Sequence, residues 1–192
     1  MTDERLDYQT VGLDSLFCAH YLTIDCGQPA DASVALLMHR VDQYGNNFIY
    51  NHTAKTKSPI INTQFRVVGC RHLDPALSYS EQARVISQWI ADEPKLADVK
   101  LRTTLNIDEI GEAAARAFSA LRPNWFKLDQ HRTPELLRSL LVGALHSEPP
   151  QLRVADGVQC RADDLDCERF GDARAVSIAL WHNRVRVIRS EL

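Results

Sequence analysis

Two Cys-x-His pairs, Cys18-x-His20 and Cys70-x-His72, are the residues of this chain that most suggest metal chemistry. Residues two apart on a strand point to the same side, so two such strands could together offer a Cys2His2 ligand set. Structural zinc sites usually separate paired ligands by two to four residues on a turn, and a one-residue spacing does not fit that pattern. The spacing favours buried cysteines beside surface or partly satisfied histidines, and we predict no metal and no cofactor.

A cysteine nucleophile is a second possibility, centred on Cys26. This residue precedes Gly27 in a predicted turn after a strand, where a thiol could be exposed, and His39 or His52 could act as its base. No family-specific sequence surrounds Cys26, and without one a single cysteine with distant histidines is poor evidence for a nucleophile. A Cys-dependent hydrolase is therefore an alternative hypothesis and not the leading one.

Carboxylates suggest two further cation sites. Asp98-x-Lys100, on a possible strand, is similar to half of a metal-dependent nuclease site, in which carboxylates hold Mg²⁺ and a lysine helps to activate water. A companion acid is not evident, since Asp92 lies at a predicted helix end before Pro94. An acidic group nearer the C-terminus lacks the spacing of an EF-hand, and we predict a solvated loop there. Its members are Asp163, Asp164, Asp166 and Glu168.

The C-terminal residues suggest an interaction surface. A two-residue turn at His182-Asn183 would pair Val176, Ile178 and Leu180 with Val185 and Val187 on one face of a hairpin. The other face would then carry Trp181, Arg184 and Arg186, and Trp and Arg are residues enriched at protein–protein hot spots. A protein partner is the prediction, while nucleic acid is possible but not indicated, because seven acidic residues offset the seven arginines after position 150.

Composition narrows the class of protein. The chain has 192 residues, 45% hydrophobic and 24% charged, with a net charge of −3, which suits a soluble domain and does not require a polyanionic partner. Its apolar runs are too short to span a bilayer, and its acidic N-terminus lacks a signal-peptide core, so we expect a cytoplasmic protein without membrane contact. The five cysteines are odd in number and scattered, which argues against a disulfide framework. The signatures of the P-loop, the dinucleotide fold, zinc proteases and α/β-hydrolases are all missing.

Predicted strands and helices must position these residues. Glycine and asparagine residues at Tyr44–Asn47 predict a tight turn, and Ser78 with Glu81 forms a capping box that starts a helix ending before Pro94. Asn106 is predicted to cap a second helix, and Thr133-Pro134 to begin a third. Gly157 suggests a bulged turn that would pair Val154 with Val158 in a hairpin.

The N-terminal strands are predicted at Phe17–Ile24, Ser33–Val41, Phe48–Thr53 and Ile60–Cys70, with a possible edge strand at Val99–Arg102.

These elements predict an α+β fold, in which antiparallel sheets from the N- and C-terminal segments pack on a central layer of about three helices. We expect one domain over residues 1–192, with possible lobes at 1–75, 76–150 and 151–192. The leading functional hypothesis is a non-catalytic interaction or regulatory protein that acts through a surface. The alternatives are a small enzyme with dispersed catalytic residues and a nucleic-acid-binding module that uses the Arg/Trp face of the C-terminal hairpin.

Overall fold

The structure is a computed structural model that describes residues 15–27, 33–96, 99–127, 134–148, 150–164 and 171–189. The strands of this part of the chain are β1 (Ser15–Asp25), β2 (Ser33–Asn51), β3 (Thr56–Leu73), β4 (Leu101–Asn106), β5 (Asn124–Phe126) and β6 (Leu152–Val154). The helices are α1 (Tyr79–Ala91), α2 (Gly111–Ala115), α3 (Pro134–Leu145) and α4 (Asp172–Arg189). Short 3-10 turns lie at Pro94–Leu96, Arg116–Leu121 and Ala162–Asp164.

The six strands form one sheet in the order β5-β4-β1-β2-β3-β6. Strands β1, β2 and β3 are antiparallel neighbours, whereas β4 runs parallel to β1, β5 parallel to β4, and β6 parallel to β3. The α+β class is therefore confirmed, but the sheet is mixed and the prediction of a purely antiparallel sheet is wrong. Parallel neighbours require crossover connections, and the helical segments between β3 and β4 and between β4 and β6 provide them.

The β2–β3 hairpin is much longer than predicted. The predicted turn at Tyr44–Asn47 is wrong, because β2 continues through it and the chain reverses only after Asn51. The pairing shifts between Tyr44 and Phe48, which makes this stretch an irregularity within the ladder. Gly45 is required there by close approach, since a Cβ atom on it would lie 2.9 Å from the Ile60 carbonyl oxygen.

Helix α1, which the sequence predicts, covers one face of the sheet, and α3 and α4 cover the other, so the helices do not form the single central layer that was predicted. The capping box is confirmed, with the Ser78 side chain accepting from the Glu81 amide and the Glu81 carboxylate accepting from the Ser78 amide. The α1 residues Ala83 and Ile86 are buried in one apolar cluster with Leu22, Ile24 and Phe118. This layer also includes the 3-10 turn at Arg116–Leu121, whose residues follow the short helix α2.

Helices α3 and α4 cover the opposite face. Their core contains Met38 and Phe65 from the sheet, Leu141 from α3, and Ile178 and Leu180 from α4. The predicted C-terminal hairpin is wrong, because residues 172–189 form one continuous helix and His182-Asn183 lies inside it. Every residue from 175 to 180 is buried, so close packing of this segment against α3 and the sheet overrides the strand-like alternation of its sequence.

Two other helix and hairpin predictions are also wrong. Asn106 ends strand β4 and caps no helix, and the helical stretch after it begins only at Gly111. The predicted hairpin around Gly157 does not form, although Gly157 has the positive φ of 78° expected of a turn glycine. Strand β6 instead adds to the edge of β3, with Val154 opposite Val67.

Candidate metal site at one edge of the sheet

Strand register places polar side chains together at one end of the sheet. Asp25 lies opposite Asn106 on β4 and opposite Val34 on β2, and Val34 in turn lies opposite His72 on β3. These four residues form a row across four strands, and paired residues in a sheet point to the same face. The next row on that face consists of Thr104, Thr23, Leu36 and Cys70. Leu36 belongs to the core beneath α3 and α4, so both rows face that helical layer.

The first residue of α4, Asp172, gathers several donors at this edge. Its Oδ1 atom accepts from His72 Nε2 at 2.6 Å and from Cys70 Sγ at 3.4 Å, and its Oδ2 atom accepts from the Arg161 amide at 2.5 Å. Ligand atoms of Cys70, Cys160 and Asp172 all lie within 4.8 Å of one another. The Asp172 carboxylate is also favourably placed at the positive end of the α4 dipole. Residues from β3, from the loop after β6, and from α4 thus meet at one point.

The Cys70 thiol of this cluster is held in its neutral form. A hydrogen bond with Cys160, together with burial and the nearby Asp172 carboxylate, raises the pKa of Cys70 far above its ordinary value. A thiol in this state is a poor nucleophile, because the thiolate is the reactive species. Binding of a metal cation would favour the thiolate instead, since a thiol that coordinates a metal ion loses its proton.

A buried ion pair fixes the start of α4 beside this cluster. Arg174 Nε donates to Asp25 Oδ2 at 3.0 Å, and Asn106 Nδ2 donates to Asp25 Oδ1 at 3.0 Å. Burial raises the pKa of Asp25, while the Arg174 charge opposes that shift and Glu109 adds to it. Because Arg174 is two residues after Asp172 in the same helix, this pair also holds Asp172 in place.

The structure separates the two Cys-x-His pairs. Cys18 and His20 are on the same side of β1 as Leu22, which packs beneath α1, whereas Cys70 and His72 face α3 and α4. The Cys2His2 set does not form from them, because they lie on opposite faces of the sheet. The second pair meets Cys160 and Asp172, whereas the first pair meets His39.

The cysteine–histidine contact on the other face involves Cys18 and not Cys26. Cys18 Sγ lies 2.8 Å from His39 Nε2, and the His39 ring stacks on His20 at 4.3 Å between centroids. Burial raises the pKa of the Cys18 thiol, although the residue keeps contact with solvent, and burial lowers the pKa of His39 to about 4. A thiolate–imidazolium pair requires the opposite shifts, so this geometry favours a neutral hydrogen bond.

The predicted Cys26 nucleophile is inaccessible. Cys26 is fully buried, and burial raises the pKa of its thiol to about 12. Neither proposed base reaches it, since His39 contacts Cys18 and His52 lies in the turn of the β2–β3 hairpin. The described geometry therefore does not assemble the Cys-dependent site predicted from sequence.

The remaining predicted residues that the structure describes do not converge on a second site. Asp98 lies outside the described residues, as do Asp166 and Glu168, while Lys100 is exposed just before β4. Trp181 packs against the core, with its ring centroid 6.0 Å from that of Phe126. Arg184 and Arg186 belong to α4, so the hairpin face predicted to carry them does not exist.

Sequence reasoning missed Cys160, Asp172, Asp25 and Arg174. The available signal was the Asp172-Ala-Arg-Ala segment, where an acidic residue precedes a helix-forming run. Comparison of the chain with known protein families, curated proteins and solved structures finds no significant match. Among the described helices, none combines the length and apolar character needed to cross a membrane.

Proposed function

We propose that this is a zinc-responsive interaction protein, in which Cys70, Cys160, Asp172 and His72 bind one Zn²⁺ ion. The observation that carries the proposal is the convergence of two thiols and a carboxylate from three segments far apart in sequence. Cysteines that only fill space in a core do not require a carboxylate close to both thiols. This proposal replaces the expectation of no metal, and it keeps the expectation of a regulatory or interaction role.

The donor set suits zinc better than a hard cation. Thiolate and imidazole ligands favour Zn²⁺, whereas Mg²⁺ and Ca²⁺ take oxygen ligands. A tetrahedral zinc ion with ordinary bond lengths places its ligand atoms roughly 3.3–3.8 Å apart. The Cys70, Cys160 and Asp172 ligand atoms already lie within 4.8 Å of one another, so a contraction of about 1.5 Å at most brings these three to zinc-binding distances.

His72 would provide the exchangeable fourth ligand. Its Nε2 atom already lies 2.6 Å from Asp172 Oδ1, and its side chain is 58% exposed. An exposed ligand leaves the ion open to exchange with solvent, which suits a protein that responds to zinc. Binding would join β3, the Cys160 loop and α4, so the metal would control how firmly the C-terminal segment is held to the sheet.

Metal content and thermal stability test this proposal. We expect the reduced protein, after incubation with zinc and removal of excess metal, to retain one equivalent by elemental analysis. At free zinc about 100-fold above the dissociation constant, binding should stabilise the folded state by about 2.7 kcal/mol. For a chain of this size that corresponds to a rise in Tm of roughly 5–11 °C.

Variants separate this site from adventitious binding. Cys160→Ser should lose the bound equivalent and the rise in Tm, whereas Cys18→Ser, a matched cysteine on the opposite face, should keep both. The proposal fails if wild type binds no zinc, if the two variants behave alike, or if mass measurement shows a Cys70–Cys160 disulfide that persists under reducing conditions.

A further inference from the structure

The distal half of the β2–β3 hairpin forms an arm, which we define as residues Tyr44 to Ile61. Within it Tyr44 lies opposite Ile61, Phe48 opposite Pro59, and Tyr50 opposite Lys57. Residues 57, 59 and 61 alternate along β3, so they and their partners share one face of the arm. That face therefore presents three aromatic rings at successive rungs, with a lysine beside the last.

These rings face solvent. Phe48 is 55% exposed, Tyr44 55% and Tyr50 48%, although aromatic residues of this size are usually buried. Lys57 Nζ lies 5.4 Å from the centroid of the Phe48 ring, and Tyr50 and His52 make an edge contact at 4.9 Å. The arm thus presents a row of exposed aromatic side chains with cationic or ionisable side chains beside them.

The charge of the arm differs from that of the whole chain. No acidic residue occurs between Asp42 and Asp74, although the chain has 25 acidic residues and a net charge of −3. The carboxylate at the base of the arm, Asp42, is buried and bound to Arg40 at 2.9 and 2.6 Å. Lys55 and Lys57 are therefore not opposed by a carboxylate from the arm itself.

We propose that the arm binds single-stranded nucleic acid. Bases stack on Tyr44, Phe48 and Tyr50, and the lysines Lys55 and Lys57 bind the phosphates that connect them. Stacking platforms accompanied by positive charge are the general means of binding single strands without sequence preference. A second copy of the chain fits less well, because pairing two arms would bring lysines of the same sign together. This inference is independent of the zinc site.

Fluorescence anisotropy with labelled oligothymidylate tests the proposal on the full chain. Wild type should bind at low salt, and the affinity should fall as salt increases. Phe48→Ala and Tyr50→Ala should each weaken binding by about 5- to 150-fold, the range measured for loss of one stacking ring. Lys57→Glu should also weaken it, with a shallower salt dependence.

Ile49→Thr is the matched control, because Ile49 is in the same strand, is 62% exposed and points to the opposite face of the arm. It should leave the affinity within about twofold, and all variants should keep the Tm of wild type because the altered side chains are exposed. The proposal is overturned if wild type does not bind the oligonucleotide, or if Ile49→Thr weakens binding as much as Tyr50→Ala. It is overturned equally if polyglutamate competes as well as the oligonucleotide, or if Tyr50→Ala abolishes a dimer while oligonucleotide binding is absent.

Discussion

Replacing Arg174 by methionine should destabilise the fold and change its dependence on pH. The Arg174–Asp25 pair is buried, with side-chain exposures of 14% for Arg174 and 1% for Asp25. Removing one partner of a buried pair typically costs about 3–5 kcal/mol, because the other charge is left uncompensated. For a chain of this size the expected fall in Tm is roughly 6–20 °C.

The pH dependence follows from the pKa of Asp25. Burial raises this pKa and Arg174 opposes the shift, so Arg174→Met should raise it further above the unfolded value of about 3.9. Between the two pKa values the folded chain holds a proton that the unfolded chain has released. Stability of the variant should therefore fall as pH rises through that interval, by about 1.4 kcal/mol per unit, and should be recovered on acidification toward pH ~4.

Urea unfolding at several pH values measures both effects. The double variant Asp25→Asn/Arg174→Met removes the charge as well as its partner and should recover most of the loss. Arg138→Met, an exposed arginine on α3, is the control and should change stability by no more than about 0.5 kcal/mol. The reasoning is refuted if Arg174→Met costs less than about 1 kcal/mol, or if the double variant is no more stable than the single one.

Three further predictions concern packing and capping, and each is measured by urea unfolding. Gly69→Ala should cost about 1–3 kcal/mol, because the new methyl group would lie 2.7 Å from the Trp89 ring; a neutral result would mean that Trp89 moves freely. Ser78→Ala should cost about 1 kcal/mol by removing the α1 capping box; an unchanged midpoint would show that the cap is dispensable. Leu141→Ala should cost about 2–5 kcal/mol, since Leu141 is fully buried between α3 and the sheet; a loss below 1 kcal/mol would contradict that packing.

Local signals in the sequence predicted the elements that depend on neighbouring residues. The capping box of Ser78 and Glu81 begins α1 because its hydrogen bonds lie within one turn. Strands β1 to β3 follow from their β-branched and aromatic content, and Thr133-Pro134 correctly predicts a helix that the structure begins at Pro134.

Elements whose form depends on tertiary contacts were missed. The C-terminal segment alternates like a strand, yet burial of every residue from 175 to 180 selects a helix. Parallel pairing of β4 with β1 has no local signature. The two strands are separated in sequence by β2, β3 and α1, whereas periodicity reports only on neighbouring residues. Gly45 resembles a turn glycine in sequence, but its role is to admit the Ile60 carbonyl.

Two of the four proposed ligands could be recognised from the sequence, and the other two are brought to the site by tertiary contacts. Cys70 and His72 share a strand and could be recognised from their spacing. Cys160 was predicted in a hairpin and Asp172 at the end of a charged loop, so their approach to Cys70 could not be foreseen. Register also joins Asp25 to His72 through Val34, which only the strand pairing reveals.

X-ray absorption at the zinc edge of the zinc-loaded protein tests the central claim most directly. The proposed site predicts two sulfur ligands at about 2.3 Å and two nitrogen or oxygen ligands at about 2.0–2.2 Å. Cys160→Ser should lose this signal together with the bound zinc. A first shell of nitrogen and oxygen alone, or an unchanged spectrum in Cys160→Ser, would contradict the assignment.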